Sequence, residues 1–256
     1  MDVEPHQYLF VFVALLTSSL VQSTTGFAAG LVAIPILLAA GLELPTAVAT
    51  VMISAAVQNS IGVYKLRSAI DWRQARLPAL LRLCSLPVGA ASMYAISSSV
   101  EGYREVVRQG FGVLILVVLL AQRVLRVEPA PRQPAYWLWL SFLGSGFLQG
   151  FVGLPGPPMV LWLMAHDWSP DRSRGFLFCM FLIGLPFHLL LLWWLWPSQL
   201  ALALFFALIA LPATACGTAI GLLIGKRLNR QVLRRLTVLL LVIIALNSLV
   251  LPWLNR

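Results

Sequence analysis

Charge is scarce in this chain. Only 11% of its 256 residues are charged, and only nine of those are acidic. A soluble domain carries about 25% charged residues, so this chain has too little polar surface to cover a globule in water. Cysteine is sparse too. Cys84, Cys179 and Cys216 sit in apolar stretches with no ligand spacing between them. That excludes a disulfide framework and a metal site, and leaves three small core residues. No metal and no cofactor is expected. The three histidines form no Ser-His or His-Glu spacing, which speaks against an intramembrane enzyme. No GxxxxGK(S/T) phosphate loop is present, so ATP does not drive the activity. The start, Met1-Asp2-Val3-Glu4, lacks the basic opening of a signal peptide, and the first apolar segment is expected to be retained.

What is present is apolar. Hydrophobic residues make up 60% of the chain and mean hydropathy is +0.88. Runs long enough to cross a bilayer recur to the end of the sequence. They do not alternate polar and apolar as barrel strands would. The expected fold is an all-α polytopic membrane protein, with lipid as its surroundings. A net charge of +9 raises nucleic acid as a partner. Basic residues collect in the cytoplasmic loops of membrane proteins, which accounts for the charge without one.

The apolar segments fall at 8–25, 27–40, 45–64, 74–97 and 106–122, then at 136–150, 157–165, 170–196, 198–224 and 231–251. A polar, proline-bearing stretch at 123–133 separates the two sets. The pattern restarts after it, dividing the chain into repeats at 1–128 and 136–256 around a cytoplasmic linker at 129–135. Both halves carry GFxxGxxxxP, from Gly26 to Pro35 and from Gly146 to Pro155, 120 residues apart. Composition alone gives roughly 0.004 second copies, so the match reads as duplication. Leu44-Pro45 and Ser169-Pro170 match 125 residues apart, as do Leu86-Pro87 and Leu211-Pro212. The growing offset implies an insertion after the second motif. Pro45 and Pro170 stand at expected helix starts, where proline costs nothing.

Basic residues set the orientation. With the N-terminus outside, 15 of the 18 Lys and Arg fall on the cytoplasmic side, leaving out Arg104, Arg108 and Arg256. Each motif-bearing pair then enters the membrane and returns, and the later spans cross once. The C-terminus also ends outside, and the halves become antiparallel, an inverted-topology repeat of a broken hairpin plus three helices. Trp193, Trp194 and Trp196 mark the outer interface.

Each motif interrupts a hydrophobic segment. A broken helix exposes N–H groups at its new N-terminus, and in lipid these must find partners. An anion suits them, because the helix dipole also favours negative charge there. At the first break Gly26, Phe27 and Gly30 bring the backbone close, and Ser23, Thr24 and Thr25 supply hydroxyls. At the second, Gln149 supplies an amide. Gly153-Leu154-Pro155-Gly156-Pro157-Pro158 cannot be one unstrained helix, and its donors are the N–H groups of residues such as Gly153, Gly156 and Met159. The competing reading makes Gly26, Gly30, Gly146 and Gly150 small residues for close helix packing. The two breaks are expected to meet around one substrate near the membrane centre.

Other polar residues fall at membrane depth. Arg82 lies about 15 Å into its segment. It either forks onto an anion or snorkels to the cytoplasmic interface. Gln58 and Asn59 either line a cavity or bond a neighbouring helix. His188 either carries a coupled proton or packs between helices. Asn247 reads as interhelical glue, and Asp71-Trp72 as an interfacial helix start.

The stretch Ser23-Thr24-Thr25-Gly26-Phe27 running to Ile34-Pro35, Ile70-Asp71-Trp72 after a basic loop, and the run from Gly153 to Trp162 followed by Ser169-Pro170 resemble the TauE/SafE, or sulfite exporter, family. The resemblance covers nearly the whole chain. It implies a transporter of sulfite, sulfoacetate or other sulfur-containing or organic anions. Many members have a longer glycine run at the first break, and Gly-Gly-Pro where this chain has Pro155-Gly156-Pro157. The expected function is secondary transport of small anions across the cytoplasmic membrane. A proton, another cation or the substrate's own gradient would drive it. The alternatives are an anion channel of the same fold, a membrane-embedded enzyme, or an assembly factor without flux.

Overall fold

A computed structural model describes residues 4–99 and 133–227, with isolated helical positions between 109 and 120 and between 239 and 246. The expected segments 106–122 and 231–251, Asn247 and most of the linker lie outside the described residues. Nine α-helices are described: α1 Pro5–Thr25, α2 Ala29–Ala39, α3 Leu44–Leu66, α4 Trp72–Ser99, α5 Ala135–Val152, α6 Gly156–Met164, α7 Pro170–Leu195, α8 Pro197–Ile209 and α9 Leu211–Arg227. No strand occurs among the described residues.

Local chemistry places the starts. Pro5 and Pro197 open α1 and α8, where a missing N–H is harmless. Asp71 caps α4, accepting from the N–H groups of Arg73 at 3.0 Å and Gln74 at 3.2 Å. Ser169 caps α7 through the Arg172 N–H at 3.3 Å, and Asp171 adds negative charge to its first turn.

Among the described residues four helical stretches are long and apolar enough to cross a membrane: Pro5–Thr25, Leu44–Ala69, Trp72–Ser99 and Asp171–Leu195. Leu140, Leu190, Trp193, Leu208 and Leu223 are large and exposed, and Trp194 is 80% exposed. Such faces suit lipid and not water. The chain is a multi-pass membrane protein.

The expected span at 198–224 is bent: it consists of α8 and α9, which are long and apolar enough to cross only together and meet at 57° at Ala210. Pro212 is the cause. It has no N–H to give the Leu208 carbonyl, and its ring crowds that carbonyl. The ladder resumes where the Thr214 N–H meets the Ala210 carbonyl at 3.0 Å.

The described helices group into two packed units. One holds α1, α2, α3 as far as Ala55, α8 and α9. In it α9 runs close along α1. A Cβ on Gly221 would come within 2.8 Å of the Ser23 Cβ, and one on Gly217 within 3.1 Å of the Ser19 Cβ. The other unit holds α3 from Ala56, α4, α5, α6 and α7. There α5 lies against α4. A Cβ on Gly146 or Gly150 would overlap the Arg82 or Leu86 carbonyl. These two glycines therefore serve close helix packing. In both units a hairpin from one half of the sequence packs on a proline-bearing helix from the other half.

The two hairpins share further detail. The Gln7 side-chain amide donates to the Ala40 carbonyl at 3.3 Å, and that of Gln133 to the Ala165 carbonyl at 2.7 Å. Ala40 and Ala165 cap the ends of α2 and α6. Each short helix thus ends beside the start of the long helix before it. At about 16 Å and 13 Å, α2 and α6 are each shorter than the ~30 Å hydrocarbon core.

The letters of the motif and the helix ends do not coincide. Gly26 ends α1 in the left-handed region, at φ 86°, and its N–H meets the Gln22 carbonyl at 2.7 Å. Gly153 does the same for α5, at φ 72°, and its N–H meets the Gln149 carbonyl at 2.9 Å. Gly146, matched to Gly26 by letters, lies inside α5. The two left-handed breaks lie 127 residues apart, whereas the motif letters match 120 apart.

Candidate functional site

The first break lies in the unit built on α1. Its hydroxyls turn back on their own helix. Ser23 Oγ donates to the Ser19 carbonyl and Thr24 Oγ1 to the Val21 carbonyl, both at 2.7 Å. Thr25 Oγ1 lies 2.8 Å from the carbonyls of both Val21 and Phe27, and accepts the Phe27 N–H at 3.4 Å. These bonds close the end of α1. Ala28 then takes φ 82°, a left-handed strain of about 1–2 kcal/mol for a residue with a Cβ. The start of α2 has no side-chain cap. Its first ladder bond runs from Val32 N–H to the Ala28 carbonyl at 3.2 Å, leaving the amides of Ala29, Gly30 and Leu31 at the open end. Gly26 is buried there, and Phe27 and Gly30 are half-buried.

The second break lies in the other unit. After Gly153 the chain turns through Leu154 and Pro155 and starts α6 at Gly156. Pro157 and Pro158 occupy the first turn of α6, where their missing N–H groups leave no gap. Ser145 Oγ ties the turn to α5, donating to the Pro155 carbonyl at 2.7 Å. Gly156 and Met159 are buried, and Gly153 is half-buried.

Arg82 faces this region. It is 1% exposed and the largest fully buried side chain described. The snorkelling alternative is therefore corrected: the guanidinium turns inward, because two acceptors lie within the bundle. Its Nη1 donates to the Met180 carbonyl of α7, and its Nη2 to Gln149 Oε1 of α5. The Gln149 carbonyl in turn caps Gly153. One hydrogen-bonded path thus links the buried cation to the break.

The surroundings of Arg82 are neutral. Among the described residues no carboxylate pairs with it, and its Nε has no acceptor. A buried cation held by neutral groups alone is costly, and an anion relieves that cost. The planar guanidinium fork suits an anion carrying oxygens.

The structure therefore brings Arg82, Gln149 and Gly153 together at one break, with Gly156 and Met159 following on α6. Thr24, Thr25, Gly26, Phe27 and Gly30 belong to the other unit. Gln58 and Asn59 are buried on α3, one turn before Gly62, which packs against the Phe178 ring of α7. Sequence reasoning missed Met180 and Gly184. A Cβ on Gly184 would come within 2.9 Å of Gln149 Oε1 and 3.3 Å of Arg82 Nη2. A glycine four residues before His188 in an apolar helix was the available signal.

The Sulfite exporter TauE/SafE family model matches residues 10–248. A probable sulfite/organosulfonate exporter TauE from Cupriavidus necator is 27% identical over 203 residues, covering 78% of this chain and 77% of that protein. No solved structure matches this chain.

Proposed function

The chain belongs to the sulfite exporter TauE/SafE family, whose members are transporters and not enzymes, and from that premise we propose that it exports small anions by alternating access. The substrates are sulfite, an organosulfonate or a related organic or sulfur-containing anion. The observation that carries this reading is Arg82, a fully buried cation with only neutral partners beside a broken helix. Bound anion supplies the missing counter-charge. The second break supplies backbone close to it, and the Arg82–Gln149–Gly153 path couples occupancy to the position of the break. Exposure of this site then alternates between the two membrane faces, driven by a proton, another cation or the substrate's own gradient.

We read the halves as inverted repeats in the cytoplasmic membrane, with the start of α1 outside. The paired contacts of Gln7 with Ala40 and Gln133 with Ala165 support hairpins that return to their starting side. The basic residues support the orientation. In a cysteine-free background, Ser198→Cys reacts with an impermeant thiol reagent on intact cells and Ser68→Cys does not. The reverse pattern inverts the topology.

Purified protein in liposomes tests the transport reading. Saturable sulfite flux, accelerated by anion on the opposite side and lost in Arg82→Met, is the expected result. Flux without saturation makes the protein a channel. No anion flux overturns the proposal.

A further inference from the structure

His188 is 0% exposed, and neither ring nitrogen has a hydrogen-bond partner among the described residues. An imidazole always carries at least one N–H donor. Buried polar groups in native proteins are almost always paired, so an orphaned one calls for an explanation. Its position supplies one. His188 lies one turn beyond Gly184 and two beyond Met180, on the same face of α7. The Met180 carbonyl accepts from Arg82, and Gly184 makes room for Gln149 and the guanidinium. Arg82 on α4 is the charged group that meets this stretch of α7, bonded to Met180 and packed against Gly184. α5 presents neutral Gln149 there, and Cys179 of α7 is the other titratable side chain near Arg82. The Arg82 Nε–H is orphaned as well. Two neighbouring helices thus each hold a buried donor without an acceptor among the described residues.

We propose that His188 is a substrate-binding residue of this site, its ring N–H and the Arg82 Nε–H each donating to an oxygen of one bound oxyanion. The inference rests on the anion-transport reading above. It narrows the ligand to a small anion with at least two oxygens on one centre, such as sulfite, a sulfonate or a carboxylate. A halide offers a single acceptor point, so both donors would have to converge on one atom. A packing histidine would need only its shape, whereas this role needs its N–H.

The test is a thermal-shift titration of the purified full-length protein with sulfite, methanesulfonate, acetate and chloride. Two variants separate shape from donor. His188→Phe keeps a ring and loses the N–H, and His188→Gln keeps an N–H donor. Unmodified protein should show saturable stabilisation by the oxyanions and little by chloride. His188→Phe should bind sulfite at least about tenfold more weakly, with His188→Gln between the two. Sulfite binding by His188→Phe within about twofold of the unmodified protein overturns the role of His188 and leaves the transport reading standing. Absence of anion binding by the unmodified protein overturns the anion site itself, and this inference with it. A variant-free measurement guards against misfolding. The His188 ring nitrogen resonances of isotopically labelled protein should move on sulfite addition, and unmoved resonances overturn the proposal.

Discussion

The Arg82 guanidinium of α4 donates to Gln149 Oε1 of α5, and the backbone carbonyl of the same Gln149 caps the left-handed Gly153 where α5 ends. One residue therefore joins the buried cation to the helix break. A ligand that draws on the guanidinium competes with Gln149 and bears on the turn at Gly153.

Arg82→Met separates stability from function. Methionine fills a similar length and removes a cation held only by neutral groups. Replacing buried charge with apolar volume is often neutral or stabilising by about 1–4 kcal/mol. The variant should unfold at an equal or higher temperature in detergent than the unmodified protein without anion. Its sulfite flux in liposomes should be abolished. A strongly destabilised Arg82→Met would assign the arginine to the fold.

Gln149→Glu should stabilise and inhibit together. The substitution is nearly isosteric and gives Arg82 an internal carboxylate. That carboxylate occupies the place of the substrate's charge. Sulfite flux should fall at least about tenfold, the equivalent of about 1.4 kcal/mol of lost binding. The melting temperature should rise. Unchanged flux would show that the anion does not rely on this face of Arg82.

The left-handed caps give a matched pair. Gly26→Leu and Gly153→Leu each place a Cβ where φ is 86° or 72°. Each should cost about 1–2 kcal/mol and misplace the break. Asparagine tolerates this conformation better, so Gly26→Asn and Gly153→Asn should retain more flux than the leucine variants. Liposome transport beside thermal unfolding checks both effects. Equal activity of Leu and Asn variants would show that the turn geometry is not needed.

The two glutamine contacts test the repeat. Gln7→Ala and Gln133→Ala each remove a side-chain bond to the end of a half-helix, worth about 1 kcal/mol. Hydrogen exchange should quicken near the end of α2 in the first variant and near the end of α6 in the second. A response in only one hairpin would argue that the two are not equivalent.

Much of the architecture could be read from local signals. Asp71 and Ser169-Pro170 announce the starts of α4 and α7 because capping depends on neighbours in sequence. The second break was legible because three prolines and two glycines close together leave no room for a helix. Letter matching could not tell a helix end from a helix contact, since Gly26 and Gly146 look alike but do different work. Gly26 ends a helix and Gly146 lets α4 approach α5. Proline was ambiguous for the same reason. Pro212 bends the chain, while Pro87 and Pro186 lie inside unbroken helices.

Sequence alone determined that this chain lives in a bilayer, where its helices begin, and that two hydrophobic segments break. Those properties depend on apolar length, proline's missing N–H and glycine's left-handed freedom, all set within a few residues. Only the tertiary structure decided where Arg82 points. Its acceptors lie 67 and 98 residues away along the chain, and a long side chain takes whichever direction offers them. The same holds for His188. Nothing in its sequence neighbourhood shows that helix packing leaves both ring nitrogens buried and without a partner among the described residues, one turn beyond the Gly184 that packs against Arg82.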